Sequence, residues 1–184
     1  MFVRICAEGD ADRLYDAHLW LNERGNDAWR LAMTKVAKLP KVSRKIQEAF
    51  LPIWIESKML PLRVGSRRVL ANALRVLMPA TYKRGLKLYR GTSSAEHSRH
   101  IYGFAWTTDV AVARKFAAHW AIPHFNSEGV VLEALAPPRA ILLIRKPEDY
   151  YDEGEVVVDP FRLGKVELVE RMREAARRKI LRAF

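Results

Sequence analysis

One cysteine in 184 residues, Cys6, excludes an internal disulfide and any zinc site built on several thiolates. Flanked by Ile5 and Ala7, it reads as a small apolar packing residue. No apolar run approaches the roughly 18 residues that a membrane-crossing helix requires. Residues 1–20 carry Arg4, Glu8, Asp10, Asp12 and Arg13 where a secretory signal would be continuously apolar. These absences lead to the expectation of a cytoplasmic chain, or of one delivered into a host cytoplasm by a signal-independent route. Acidic residues are the other shortage: 21 Asp and Glu face 32 Lys and Arg, for a formal net charge of +11.

The excess is uneven. Residues 1–85 hold 16 Lys and Arg against 8 Asp and Glu, whereas residues 86–184 hold 16 against 13. A basic front half suits contact with nucleic acid, an acidic protein face or anionic lipid, and equally a solvated surface that aids solubility. The hydrophobic content of 49% is ample for a core.

Three segments are expected: a basic helical region over 1–85, a sheet-rich core over 86–171, and a basic helix or tail over 172–184. Periodicity predicts helices over 12–24, 27–39, 44–60 (kinked or broken at Pro52) and 67–77, the last carrying Val69, Leu70, Ala73, Leu74 and Leu77 as an apolar stripe behind a Ser66 cap. After Pro79 the pattern changes. Short strands over 86–90, 104–107, 130–136, 140–145, 155–159 and 165–170 alternate with Gly and Pro punctuation, and Asp109 introduces a helix over 110–121. Gly91 is expected to end the first strand, with a turn-rich stretch from Ser93 to Tyr102. The fold class that follows is α+β, an N-terminal helical region followed by a mainly antiparallel sheet structure.

Residues 150–158 read Tyr-Tyr-Asp-Glu-Gly-Glu-Val-Val-Val. Two carboxylates, Glu153 and Glu155, stand at the mouth of a β-branched run with one glycine between them. In an extended chain they project to one side, roughly 6 to 7 Å apart at Cα. Upstream lie Leu88-Tyr89-Arg90-Gly91-Thr92 and Gly103-Phe104-Ala105-Trp106-Thr107-Thr108-Asp109. In this order and spacing the three stretches resemble the Arg-Ser-Glu, cholera-toxin-like class of mono-ADP-ribosyltransferases, over about residues 86–170.

The resemblance implies a two-sheet core, NAD as co-substrate and a macromolecular acceptor. It gives Arg90 the NAD phosphates, for which a planar guanidinium fork is suited, and gives the Gly91 backbone the nicotinamide amide. Thr107 and Thr108 correspond to the hydroxyls that support the catalytic glutamate and shape the nicotinamide pocket. A register starting at Trp106 would put a tryptophan at the first hydroxyl; counting back from Phe116, which resembles the aromatic of the following helix, favours Thr107. Glu155 takes the catalytic position, where a carboxylate stabilises the oxocarbenium-like sugar as the nicotinamide bond breaks. Glu153 would orient the acceptor and accept its proton, and glutamate there implies an arginine acceptor on a protein. Tyr150 matches an aromatic of the target-recognition loop. Three other readings stand beside this one: transfer to RNA or DNA, NAD hydrolysis without an acceptor, and a non-catalytic basic module that binds nucleic acid or protein. His97, His100, His119 and His124 match no zinc spacing, so no metal is expected.

Overall fold

The computed structural model describes residues 1–79, 82–120, 128–145 and 154–172. The chain divides into two compact units, Met1–Ala80 and Thr81–Phe184.

Among its described residues the first unit is helical throughout. Helix α1 (Phe2–Glu8) leads through a 3-10 turn at Ala11–Arg13 to α2 (Leu14–Arg24), and α3 (Asn26–Val36), α4 (Arg44–Glu56), α5 (Leu60–Val64) and α6 (Arg67–Leu77) follow. Starts and stops are written in local chemistry. The Ser43 and Ser66 hydroxyls accept from the backbone N–H groups of Ile46 and Val69, each at 3.3 Å, a cap worth about 1 kcal/mol. Gly9 and Gly65 close α1 and α5 at φ 78° and 66°, a conformation in which a side chain would be strained. Trp29 is fully buried, sets its ring edge-on to Phe2 at 5.8 Å, and donates from Nε1 to Asn22 Oδ1 at 3.1 Å. A buried indole thus keeps its one donor satisfied.

Two helix expectations need correction. No helix was expected before residue 12, yet Phe2, Ile5 and Cys6 are buried along α1. The helix expected over 44–60 is two: α4 continues through Pro52 and ends at Glu56, and α5 starts afresh at Leu60. Pro52 removes one N–H donor but does not break α4.

Among its described residues the second unit has six strands: β1 (Leu86–Ser93), β2 (Ala105–Thr107), β3 (Gly129–Ala136), β4 (Ile141–Ile144), β5 (Glu155–Val158) and β6 (Val166–Arg171). A short helix α7 (Ser94–Ser98) follows β1, and α8 (Val110–Trp120) follows β2. All pairings are antiparallel, in the order β4-β5-β2-β1-β3-β6. The strands therefore link into one sheet, where two separate sheets had been expected. The link is slender: β1 pairs with β3 from Leu86↔Ala136 to Ser93↔Gly129, but meets β2 at Tyr89↔Thr107 alone. Gly91 does not end β1, because β3 supplies partners as far as Ser93. The turn-rich stretch contains α7, capped by the Ser93 hydroxyl on Glu96 N at 3.2 Å.

Alternation divides the sheet's side chains between two faces. Leu88, Trp106, Leu132, Val156 and Val158 belong to one apolar cluster with Ala140 and Ile141. On the other face Val131 and Met172 pack with Ala113 and Ala117 of α8, joined by Tyr89.

Candidate functional site

Three stretches far apart in sequence arrive on three neighbouring strands. Thr107 of β2 is the Cα partner of Tyr89 on β1 and of Glu155 on β5. Cross-strand partners point the same way, so Tyr89, Thr107 and Glu155 share a face. Trp106 takes the other face: it partners Val156, is 2% exposed, and donates from Nε1 to the Gly103 carbonyl at 3.1 Å. Thr107, not Trp106, therefore puts its hydroxyl on the side of Glu155. Thr108 lies close by. A Cβ placed on Gly154 would stand 3.4 Å from Thr107 Oγ1 and 3.6 Å from Thr108 Oγ1, so both hydroxyls flank the residue that precedes Glu155. Gly154 adopts φ 55°, a left-handed conformation suited to glycine. The Thr107 hydroxyl also accepts from Asp109 N at 3.1 Å, and Asp109 Oδ1 accepts from Ala111 N at 2.7 Å at the start of α8.

Glu155 does not stand alone. Arg145, just past β4, donates its backbone N–H to the Glu155 carbonyl at 3.0 Å, and its Nη1 to Glu155 Oε2 at 3.2 Å. Both side chains are largely buried, at 10% and 20% exposure. This partner escaped the sequence reading, since nothing local to Arg145 indicates that β4 and β5 pair in that register.

Arg90 is placed differently from the expectation of one cleft shared with Glu155. It follows Tyr89, so alternation sends it to the opposite face, beside Leu88. There Nη1 donates to the Ala105 carbonyl at 2.7 Å, and Nη2 lies 3.5 Å from Glu96 Oε2. The Thr92 hydroxyl donates to the same Glu96 oxygen. Gly103 leaves room for this arrangement: a Cβ there would come within 2.6 Å of Arg90 Nη2, and the guanidinium would have to shift. Burial pulls the guanidinium below its ordinary value while the Glu96 carboxylate works in the opposite direction. Arg90 thus ties the segment around Gly103–Ala105 to β1, and Glu96 is the anion already beside it.

Gly91 also has an occupant the sequence did not reveal. A Cβ there would lie 2.0 Å from the Ala113 carbonyl oxygen and 2.4 Å from Ala117 N. What comes close to Gly91 on its side-chain side is the backbone of α8, not open space for a ligand. Phe116 Cβ is next to the same point at 2.8 Å, and Phe116 is 42% exposed between buried Ala113 and Ala117. An exposed aromatic thus projects from the helix laid over β1. Glu153 and Tyr150 lie outside the described residues.

Elsewhere in this unit His97 Nδ1 and His100 Nδ1 lie 3.4 and 3.0 Å from the Tyr102 hydroxyl. Among the described residues no three His, Cys, Asp or Glu side chains gather as metal ligands. No described helix is long and apolar enough to cross a membrane. The helical unit has a cavity of about 340 Å³ lined by His18, Asn22, Ser57, Glu56 and Arg63 among others. His18 Nε2 is engaged there by Ser57 Oγ and Asn22 Nδ2, both at 3.0 Å. No family model matches the chain, and no curated protein or solved structure matches it either.

Proposed function

We propose that this chain is an NAD-dependent mono-ADP-ribosyltransferase, with Glu155 as its catalytic carboxylate and an arginine of a protein as its acceptor. One observation carries the reading: Thr107 is cross-strand partner to both Tyr89 and Glu155. The Arg-Gly and Thr-Thr stretches and Glu155, separate in sequence, thereby lie within one residue of a common line across β1, β2 and β5. The slender junction between β1 and β2 supports the finer fold expectation too. A single pairing lets the β4-β5-β2 and β1-β3-β6 halves diverge, as a two-sheet transferase core requires.

The chemistry follows from charge. Breaking the bond between nicotinamide and ribose leaves positive charge on the sugar, and a fixed carboxylate that accepts from a ribose hydroxyl favours that state over the ground state. Thr107 and Thr108 supply hydroxyls around Gly154, where the nicotinamide end would sit, and the exposed Phe116 ring offers it an apolar face. The NAD phosphates would compete with Glu96 for Arg90. Glu153 would orient the acceptor guanidinium and take its proton as the new bond forms.

The decisive assay is release of nicotinamide from NAD by purified protein, with and without cell extract, alongside transfer of labelled ADP-ribose. The wild-type chain should do both, and Glu155→Gln should lose about 100-fold or more of the release, the scale of removing one electrostatic group from a transition state. Equal release by both proteins refutes the assignment. The Arg145 pair supports a second reading, in which Glu155 serves only as a structural counter-ion and the chain is a binding module. A well-folded wild-type protein that releases no nicotinamide selects it.

A further inference from the structure

We propose that Arg145 is a positioning residue for Glu155: it holds Oε2 of the carboxylate in place and leaves Oε1 to receive the ribose hydroxyl. The inference rests on the transferase reading and adds to it a residue that no motif contains.

Arg145 grips the same residue twice, through its backbone N–H to the Glu155 carbonyl and through Nη1 to Oε2. The first contact fixes the end of β4 against the mouth of β5. The second fixes the side chain. With Arg145 only 10% exposed, its guanidinium has little water to turn to, and a buried charge separated from its partner is costly. Among the described residues no side chain bonds to Glu155 Oε1, so one oxygen is held and the other is not.

A glutamate at a strand end would otherwise move about its side-chain torsions, and a displacement of about 1 Å at a reacting group can cost roughly 100-fold in rate. The positive charge of Arg145 works in the other direction, since a cation near the site disfavours a second cation on the sugar. The two effects oppose each other, and the rate of Arg145→Gln decides between them: a fall shows that placement outweighs field. The same contact bears on the division of labour. A carboxylate occupied by one guanidinium is poorly placed to receive the acceptor's, which leaves that task to Glu153.

The test is steady-state NAD cleavage by wild type, Arg145→Lys and Arg145→Gln, with urea unfolding of each variant. Lysine keeps the charge and the stem but loses the planar fork. It should fold and lose about 10-fold in kcat, and Arg145→Gln about 100-fold, with KM for NAD within about twofold of wild type in both. A purely structural role would lower the unfolding midpoint of Arg145→Lys without this fall in kcat at constant KM. Wild-type kcat in folded Arg145→Lys, or a faster Arg145→Gln, overturns the proposal while leaving the transferase reading intact. Absence of cleavage by the wild type removes the transferase reading, and this inference with it.

Discussion

Replacing Gly91 by alanine should open the junction between β1 and α8, and the size of the effect follows from three contacts. The added Cβ would lie 2.0 Å from the Ala113 carbonyl oxygen, 2.4 Å from Ala117 N and 2.8 Å from Phe116 Cβ. The closest of these is about 1.4 Å short of ordinary contact. Two of the three neighbours are main-chain atoms of a helix, so no rotamer change relieves the clash and α8 itself must retreat. Retreat withdraws Ala113 and Ala117 from Val131 and Met172, which now form one buried cluster. Overpacking of a well-filled core costs about 1 to 3 kcal/mol, and an unyielding backbone neighbour puts this case at the top of that range or above it. At about 3 kcal/mol the opening equilibrium of the region rises roughly 100-fold. Amide hydrogen exchange reads this directly, in peptides covering 86–93 and 110–118, whose protection should fall by that factor while peptides of the first unit stay unchanged. A change under about threefold in these peptides would show that α8 does not lie on Gly91, and the placement of Phe116 beside the site would fall with it.

Two further outcomes concern the helical unit. Burial pushes the Cys6 thiol up to about 12, so at about pH 8 a thiol reagent should leave the folded chain untouched and label one site after unfolding in urea; modification of the native chain would contradict the burial of α1. Burial, aided by Arg63 and opposed by Glu56, holds the His18 imidazole below its ordinary 6.5. Between that lowered value and 6.5 the unfolded chain binds a proton that the folded one does not, so stability falls as pH drops through this window and levels off below it. His18→Gln should flatten this slope in urea midpoints measured across the window, and an unchanged slope would refute it.

Much of this architecture was legible because its signals are local. Ser66 with the stripe from Val69 to Leu77 announces α6, and the β-branched run after Glu155 announces β5. Missed elements had local signals that other features hid. In α1, Phe2, Ile5 and Cys6 hold the i, i+3, i+4 spacing of a buried helical face, but Arg4 and Glu8 between and after them interrupt the apolar run and mask it. Ser93 and Glu96 form the Ser-x-x-Glu start of α7, obscured by the polar character of the stretch. Other features are not local at all. The contact of Gly103 with Arg90, the weight of α8 on Gly91 and the clasp of Arg145 on Glu155 all depend on which strands pair and in what register. No window of sequence contains that information.

The register also decides what an NAD site here would require. Arg90 and Glu155 leave the sheet on opposite faces, so a dinucleotide lying flat on either face meets only one of them. Strand β1 is paired with β3 along its whole length but with β2 only at Tyr89. From Arg90 to Ser93 its edge toward β2 carries no ladder. In the transferase reading a ligand serving both groups would have to reach around that edge, with its phosphates toward Arg90 and Glu96 and its nicotinamide end toward Thr107, Gly154 and Glu155. This gives Gly103 a second importance. Gly103→Ala would push on the guanidinium that holds the start of β2, and in the transferase reading it would disturb NAD binding without touching the nicotinamide or Glu155. In the transferase reading its signature is therefore a raised KM for NAD with kcat largely kept, opposite to that of Arg145→Lys. If the two variants gave the same split, Arg90 and Glu155 would not be serving different ends of one ligand.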